Sequence, residues 1–206
     1  MTLKIYGIAR SRAIRTLWMA HELGLAFDLI EVAPGAEGSR KPEFLRLNPN
    51  GQVPFIDDDG LILWESLAIN LYLAKKHGGP IGPANIAEDG QMTMWGFWTA
   101  NEIEPHAIAV LYNTAEKPAA ERSPAVVTMA LDALKAPLAV LEEKLKEGGG
   151  YLVGRRFTVA DLNAICCLFY LRFAPQALAE KPAIRAWYDK GMARPANRTA
   201  FALRGD

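Results

Sequence analysis

Ser11 stands between Arg10 and Arg12, with Arg15 four residues on, at the start of a helical stretch. A serine at a helix mouth has an ordinary structural role, in which its oxygen accepts from an orphan backbone N–H and arginines beside it are solvated. The same hydroxyl can also donate to an anion. An unperturbed thiol titrates near 8.5, so making thiolate the main species at neutral pH means lowering that value by about two units, roughly 2.7 kcal/mol. A hydroxyl donor to a charged acceptor supplies about 1.5–3 kcal/mol, and a helix N-terminus about 0.3–1 more. A thiol bound at Ser11 would be ionised with no general base.

Two further pairs carry chemistry. Val53-Pro54 opens an apolar run, and a proline there gives a sheet no N–H. A trans bond makes it the start of an edge strand; a cis bond would turn the Val53 N–H and C=O outward, free to pair with an extended ligand. Glu65-Ser66 falls where a strand gives way to a helix. Ser66 reads as the N-cap, yet the same helix end favours a bound carboxylate while Glu65 offers a charge for an ammonium. The two suit an amino-acid zwitterion, and Gln52 could add a donor.

The elements that must position these residues follow from pattern. Residues 3–6 predict a strand, 11–23 a helix ended by Gly24, and 27–32 a strand, a βαβ unit with a parallel pair. After a loop over 34–39 and a short helix over 42–47, broken by Asn48-Pro49-Asn50-Gly51, two apolar runs (53–56 and 61–64) flank Asp57-Asp58-Asp59-Gly60 as an antiparallel hairpin. A helix over 66–76 completes the order β-α-β-α-β-β-α. Beyond the linker 78–85, helical stretches take over: 88–115 with a bend at Pro105, then 123–146, 158–174, 182–193 and a short final piece. Thr158 and Asp161 have capping-box spacing, flanked by Phe157 and Leu162 as a hydrophobic staple.

Composition narrows the classes. Lys plus Arg and Asp plus Glu both number 23, so no global field draws the chain to nucleic acid or an anionic bilayer. Half the residues are hydrophobic, enough for a core. The apolar stretch over 162–171 is shorter than the roughly 20 residues of a membrane span, so no membrane partner is expected. Residues 2–6 show no secretory pattern, which predicts a cytoplasmic address. Cys166 and Cys167 are adjacent in sequence and can build neither a disulfide framework nor a Cys-rich metal site, so no metal is expected.

Ser11 with Arg15, the run from Asn48 to Pro54, Glu65-Ser66 followed by Leu67-Ala68-Ile69, and Thr158-Val159-Ala160-Asp161 together resemble the cytosolic glutathione transferase family, over the whole chain. The likeness is to its serine-using members, of bacterial, theta or phi type. It implies an α/β thioredoxin-like domain over 1–77, an all-α domain over 87–206 contributing the electrophile site, and a homodimer. Carried over by position, Ser11 resembles the serine that holds the glutathione thiolate, and Val53 the residue whose backbone pairs with the cysteinyl part. Pro54 resembles the family's cis-proline; Gln52, Glu65 and Ser66 the γ-glutamyl pocket; Lys41, with Arg40 as substitute, the cation for the glycyl carboxylate.

Tyr6, by analogy with tyrosine-using members, ranks below Ser11 because it lies in a strand. The implied activity is conjugation of reduced glutathione, as co-substrate, to hydrophobic electrophiles. Walls for the electrophile are expected from the 8–10 loop and from Trp95, Trp98, Asn101 and Tyr112. The rivals are a glutathione-dependent peroxidase or disulfide reductase, and a non-catalytic interaction module. The absence of any cysteine from the first domain disfavours chemistry through a protein thiol.

Overall fold

The alternation of Leu3-Lys4-Ile5-Tyr6 makes β1 (Leu3–Tyr6), with Leu3 and Ile5 buried and Lys4 and Tyr6 half-exposed. In the computed structural model, which describes residues 2–205, β1 pairs in parallel with β2 (Phe27–Ile30) across the helix α1 (Ala13–Glu22). The other edge of β1 pairs antiparallel with β3 (Phe55–Asp58), and β3 with β4 (Leu61–Trp64), giving the order β2-β1-β3-β4. The parallel pair and the hairpin are those expected, with shifted boundaries. β3 begins at Phe55, after the proline that cannot donate to the ladder. The hairpin turn contracts to Asp59-Gly60, both at positive φ, while Asp57 and Asp58 stay in the strand.

The short α2 (Pro42–Leu45) precedes the hairpin, and α3 (Ser66–His77) follows it. Leu17, Trp18 and Met19 of α1, Phe55 and Ile56 of β3, and Ile69 and Leu73 of α3 are fully buried and form the core of this unit. Asp58, buried at the end of β3, accepts from Tyr72 Oη at 2.7 Å and Lys76 Nζ at 2.6 Å on α3. The unit runs through Ala84 and takes back the chain from Ala193 onward. Thus α9 (Pro195–Ala202), at the end of the stretch read as helical, has its contacts with α1.

The second unit, Asn85–Met192, is helical. Asn85 caps α4 (Ile86–Trp98), accepting from the Ala87 and Glu88 N–H groups at 3.0 Å. The single bent helix expected over 88–115 is resolved into α4, a π-helical turn Thr99–Ile103, α5 (Glu104–Leu111) and a second π-helical turn Tyr112–Glu116. The irregularity precedes Pro105, which falls in the first turn of α5, where a missing N–H is tolerated.

Ser123 caps α6 (Pro124–Glu147). At 24 residues, α6 and not the 162–171 stretch is, among the described residues, the helix long and apolar enough to cross a membrane by length and composition alone. Here it packs on α5 and α8 (Pro182–Met192), and its buried Glu142 accepts the Ala183 and Ile184 N–H groups at the start of α8. The helix read over 158–174 ends sooner: α7 (Val159–Leu168) tightens into a 3-10 helix, Phe169–Phe173. Its N-terminus carries the expected capping box of Thr158 and Asp161.

Candidate active site

Ser11 lies one residue outside the N-cap position of α1, which Arg12 occupies without a side-chain cap. Its hydroxyl accepts from the Ala13 N–H at 3.1 Å and donates to the Ile8 carbonyl at 2.7 Å, inside a tight turn closed by Ser11 N–H to the same carbonyl. The side chain is half-buried. Gly7 sets how closely this turn approaches the sheet. A Cβ on Gly7 would stand 2.6 Å from Ala13 Cβ, 3.4 Å from Val53 Cβ and 3.7 Å from Ser11 Oγ, and its φ of +149° is one that side chains disfavour. Ser11 and Val53, 42 positions apart, thus face the same bare backbone.

Val53-Pro54 is cis, the alternative that the dipeptide alone left open. The preceding run is built to present it. Buried Asn48 donates from Nδ2 to the Gln52 carbonyl at 3.0 Å and accepts at Oδ1 from the Asn50 N–H at 3.1 Å. Gly51, at φ +60°, accepts from Ser39 Oγ at 2.7 Å and leaves room for Arg40, whose Cγ would be 2.8 Å from a Cβ there. Asn48 and Ser39 are therefore further supports of the site, ones that the sequence does not single out as such. A buried Asn inside an Asn-Pro-Asn-Gly turn is the available signal. Gln52 itself is exposed beside Val53.

Ser66 is not the cap of α3 but its first residue; Glu65 holds the N-cap position, without a side-chain bond, at φ 74° and ψ 105°. A non-glycine residue held there costs about 1–3 kcal/mol, a local conflict of the kind that gathers at functional sites. Ser66 Oγ is buried and accepts from Arg15 Nη1 at 3.3 Å. Arg15 is not solvated, contrary to the expectation for an arginine near Ser11: it is 2% exposed, on the face of α1 that packs on α3. Only Arg10 and Arg12 are exposed among the three. The structure therefore gathers Ser11, Val53-Pro54 and, through Arg15, Ser66 with its neighbour Glu65 around the N-terminal ends of α1 and α3.

Lys41 is exposed at the N-cap position of α2, tied to its surroundings through its backbone; no bond joins its side chain to the other candidates. Tyr6 stacks on Phe55 with centroids 4.4 Å apart, a packing role. Trp95 is buried and meets Trp98 edge-on at 5.0 Å, while Asn101 and Tyr112 are exposed in the π-helical turns. Cys166 and Cys167 are buried in α7. Among the described residues, no three His, Cys, Asp or Glu side chains gather as a metal site would require.

With this geometry established, comparison with known proteins is specific. The family model described as glutathione S-transferase, N-terminal domain, matches residues 1–75, and that described as glutathione S-transferase, C-terminal domain, matches 103–195. Glutathione S-transferase F13 of Arabidopsis thaliana is 33% identical over 95% of this chain and 93% of its own. A theta class glutathione S-transferase from Xanthomonas axonopodis pv. citri, solved with glutathione bound, is 33% identical with a TM-score of 0.86 over 97% of both chains. Glutathione transferase F7 from Populus trichocarpa is 29% identical, with a TM-score of 0.87 over 98% of this chain and 99% of its own.

Proposed function

The chain belongs to the glutathione S-transferase family of enzymes, and we propose that it binds reduced glutathione in its first unit, keeps the sulfur as thiolate through Ser11, and conjugates it to a hydrophobic electrophile. The observation that carries this reading is the convergence of Ser11 Oγ and the cis Val53-Pro54 segment on bare Gly7. A peptide laid along Val53 can exchange main-chain hydrogen bonds with it as an added strand would, and its central side chain then comes level with Ser11.

In this scheme Glu65 takes the γ-glutamyl ammonium, while Ser66 and Gln52 hold its carboxylate at the N-terminus of α3, where backbone N–H groups favour an anion. Lys41, or Arg40 beside it, meets the glycyl carboxylate. The thiolate sulfur forms a bond to an electrophilic carbon; where a leaving group departs it takes the displaced electron pair, and where the electrophile is an activated alkene the carbanion takes a proton from water. The assembly is a homodimer in the cytoplasm; Met94 and Phe97, three residues apart on α4 and both exposed, are the apolar side chains that association would cover.

The bond between Ser11 and Ile8 revises the energetics in one respect. Ser11 already donates to Ile8, so turning its O–H toward sulfur gives up a neutral hydrogen bond of about 0.5–1.5 kcal/mol against about 1.5–3 gained. The net, about 1–1.5 kcal/mol, lowers the thiol by about one unit, and the helix end supplies part of the remainder. Ultraviolet titration of bound glutathione tests this: Ser11→Ala should raise the apparent thiol pKa by about one unit, or about 1.4 kcal/mol. An unchanged value removes Ser11 from the role.

A further inference from the structure

Ser11 belongs to a loop whose two preceding residues are held from the far end of the sequence. Arg10 Nε donates to the Arg204 carbonyl at 2.9 Å and Arg10 Nη2 to the Gly205 carbonyl at 3.4 Å, while Arg204 Nη1 donates back to the Ala9 carbonyl at 3.3 Å. The bonds are reciprocal: each arginine reaches the main chain of the other's segment. α9 is fastened at its other end as well. Arg194 forks onto Glu22 at 2.6 and 2.7 Å, and Glu22 also accepts from Trp18 Nε1 at 2.9 Å. With one end at Glu22, the last residue of α1, and the other at Ala9-Arg10, just before its first turn, α9 runs antiparallel along the whole of α1.

The turn so held is short. The Gly7 N–H is fixed to the Ile30 carbonyl, and Ser11 N–H and Oγ both donate to the Ile8 carbonyl, so residues 8–10 are what remains to move. A pull on Ala9 or Arg10 reorients the Ile8 carbonyl, which also holds the Ser11 N–H at 2.9 Å, so the Ser11 backbone moves with it and carries the Oγ from which the O–H turns toward sulfur.

We propose that this two-arginine clasp is a positioning device for the transferase reaction: Arg10 and Arg204, acting through the 8–10 turn, fix the Ser11 hydroxyl where it can donate to sulfur. Neither arginine touches the reacting atoms in this scheme, so both are positioning residues and not catalytic ones. The inference rests on the assignment of Ser11 given above. It also accounts for an arginine at position 10, beside the site yet committed to main-chain carbonyls of another segment.

The test uses the full chain and five variants: Arg10→Ala, Arg204→Ala, the double alanine variant, Arg204→Lys and Ser11→Ala. Each is read by ultraviolet titration of bound glutathione and by kcat and KM for glutathione with a chloronitrobenzene, at low and at about 0.5 M NaCl, where the Debye length falls to a few ångströms. The expected result is a severalfold fall in kcat and a rise of about half a unit in thiol pKa for each single alanine variant, with KM for glutathione changed less than about twofold. The double variant should be no worse than the worse single, because both remove one device. Arg204→Lys, which keeps a donor at similar reach, should recover part of the loss, and it serves as the working variant should an alanine variant fail to fold.

An unchanged pKa and kcat in the clasp variants, with Ser11→Ala still raising the pKa, would overturn the clasp alone; an unchanged pKa in Ser11→Ala would overturn the underlying assignment. A rise that vanishes at high salt would also overturn the clasp, since it would report the lost charge of an arginine near sulfur and not the geometry of the turn.

Discussion

The Arg15 guanidinium donates to Ser66 Oγ across 3.3 Å in the interior of the first unit, joining the start of α1 to the start of α3. The carbonyl of the same Arg15 accepts from Asn70 Nδ2, also at 3.3 Å, so two turns of α3 are pinned to one residue. A buried arginine is costly unless its donors are used, and its use here is to set where Ser66 and Glu65 stand relative to the Ser11 turn.

Arg15→Ala should therefore weaken both fold and site. It removes a charged hydrogen bond, leaves Ser66 Oγ without that donor and opens a cavity the size of a long side chain, together about 2–4 kcal/mol of unfolding free energy. Urea unfolding measures the first effect. KM for glutathione should rise about tenfold in the folded fraction, because the γ-glutamyl pocket loses its brace. A variant with native stability would show that the buried guanidinium contributes nothing net.

Gly7→Ala separates close approach from burial. The added methyl meets Ala13 Cβ at 2.6 Å and adopts a backbone angle that L side chains avoid, so the first turn of α1 must back away from Val53. A loss of about 1–3 kcal/mol in stability is expected from overpacking. The bound thiol should titrate higher than in wild type, as in Ser11→Ala, although the hydroxyl is intact. Thermal unfolding and the ultraviolet titration, run on one preparation, check both.

What can be read from sequence, and what cannot, divides by the distance over which each feature is decided. The capping box of Thr158 and Asp161 is settled within four residues, so its pattern suffices; the run Asp57-Asp58-Asp59-Gly60 locates the hairpin turn but does not show that Asp57 and Asp58 stay in β3. The isomer of Val53-Pro54 is not legible in the dipeptide, which either form satisfies. Arg15 misleads because arginine is ordinarily exposed, and Ser66, a partner that helps justify burying it, is 51 positions away. Gly7 gives no signal of its own because a glycine after a strand is commonplace, and only the facing positions of Ala13 and Val53 show that a side chain would not fit. The π-helical turns before Pro105 and after α5 are five residues each, shorter than the stretch over which a period can be read.

Asp161 shows how far a local motif can reach. Besides closing the capping box with the Thr158 N–H and hydroxyl, it accepts from the Leu152 N–H at 3.0 Å and from Trp187 Nε1 at 2.9 Å, so one carboxylate ties α7 to the preceding loop and to α8. Asp161→Ala would strand at least three buried donors at about 1–3 kcal/mol each, enough to cancel most of an ordinary domain's stability. Asp161→Asn, which keeps one acceptor, should lose less. Soluble yield and urea midpoints rank the three proteins, and equal midpoints for the alanine variant and wild type would show that water satisfies those donors.

The acid limb of stability should carry the mark of Asp58. Burial pushes its carboxyl up, but hydrogen bonds from Lys76 and Tyr72, with the charge of Lys76, outweigh that and hold it below the ordinary 3.8. Tyr72 is raised in turn by burial and by its bond to Asp58, and Lys76 by the same carboxylate. A lowered folded-state value means that the stabilisation is complete above 3.8, where folded and unfolded chains are both ionised. Below 3.8 the unfolded chain takes up its proton first, and the stabilisation drains away until the pH has passed the folded-state value. Asp58→Asn removes this proton linkage, so its unfolding free energy, lower than wild type at pH 7, should fall less steeply between about pH 5 and 3. Urea titrations at half-unit steps give the two slopes; parallel slopes would mean that Asp58 binds its proton equally in both states, and that the Lys76 and Tyr72 bonds do no more than offset its burial.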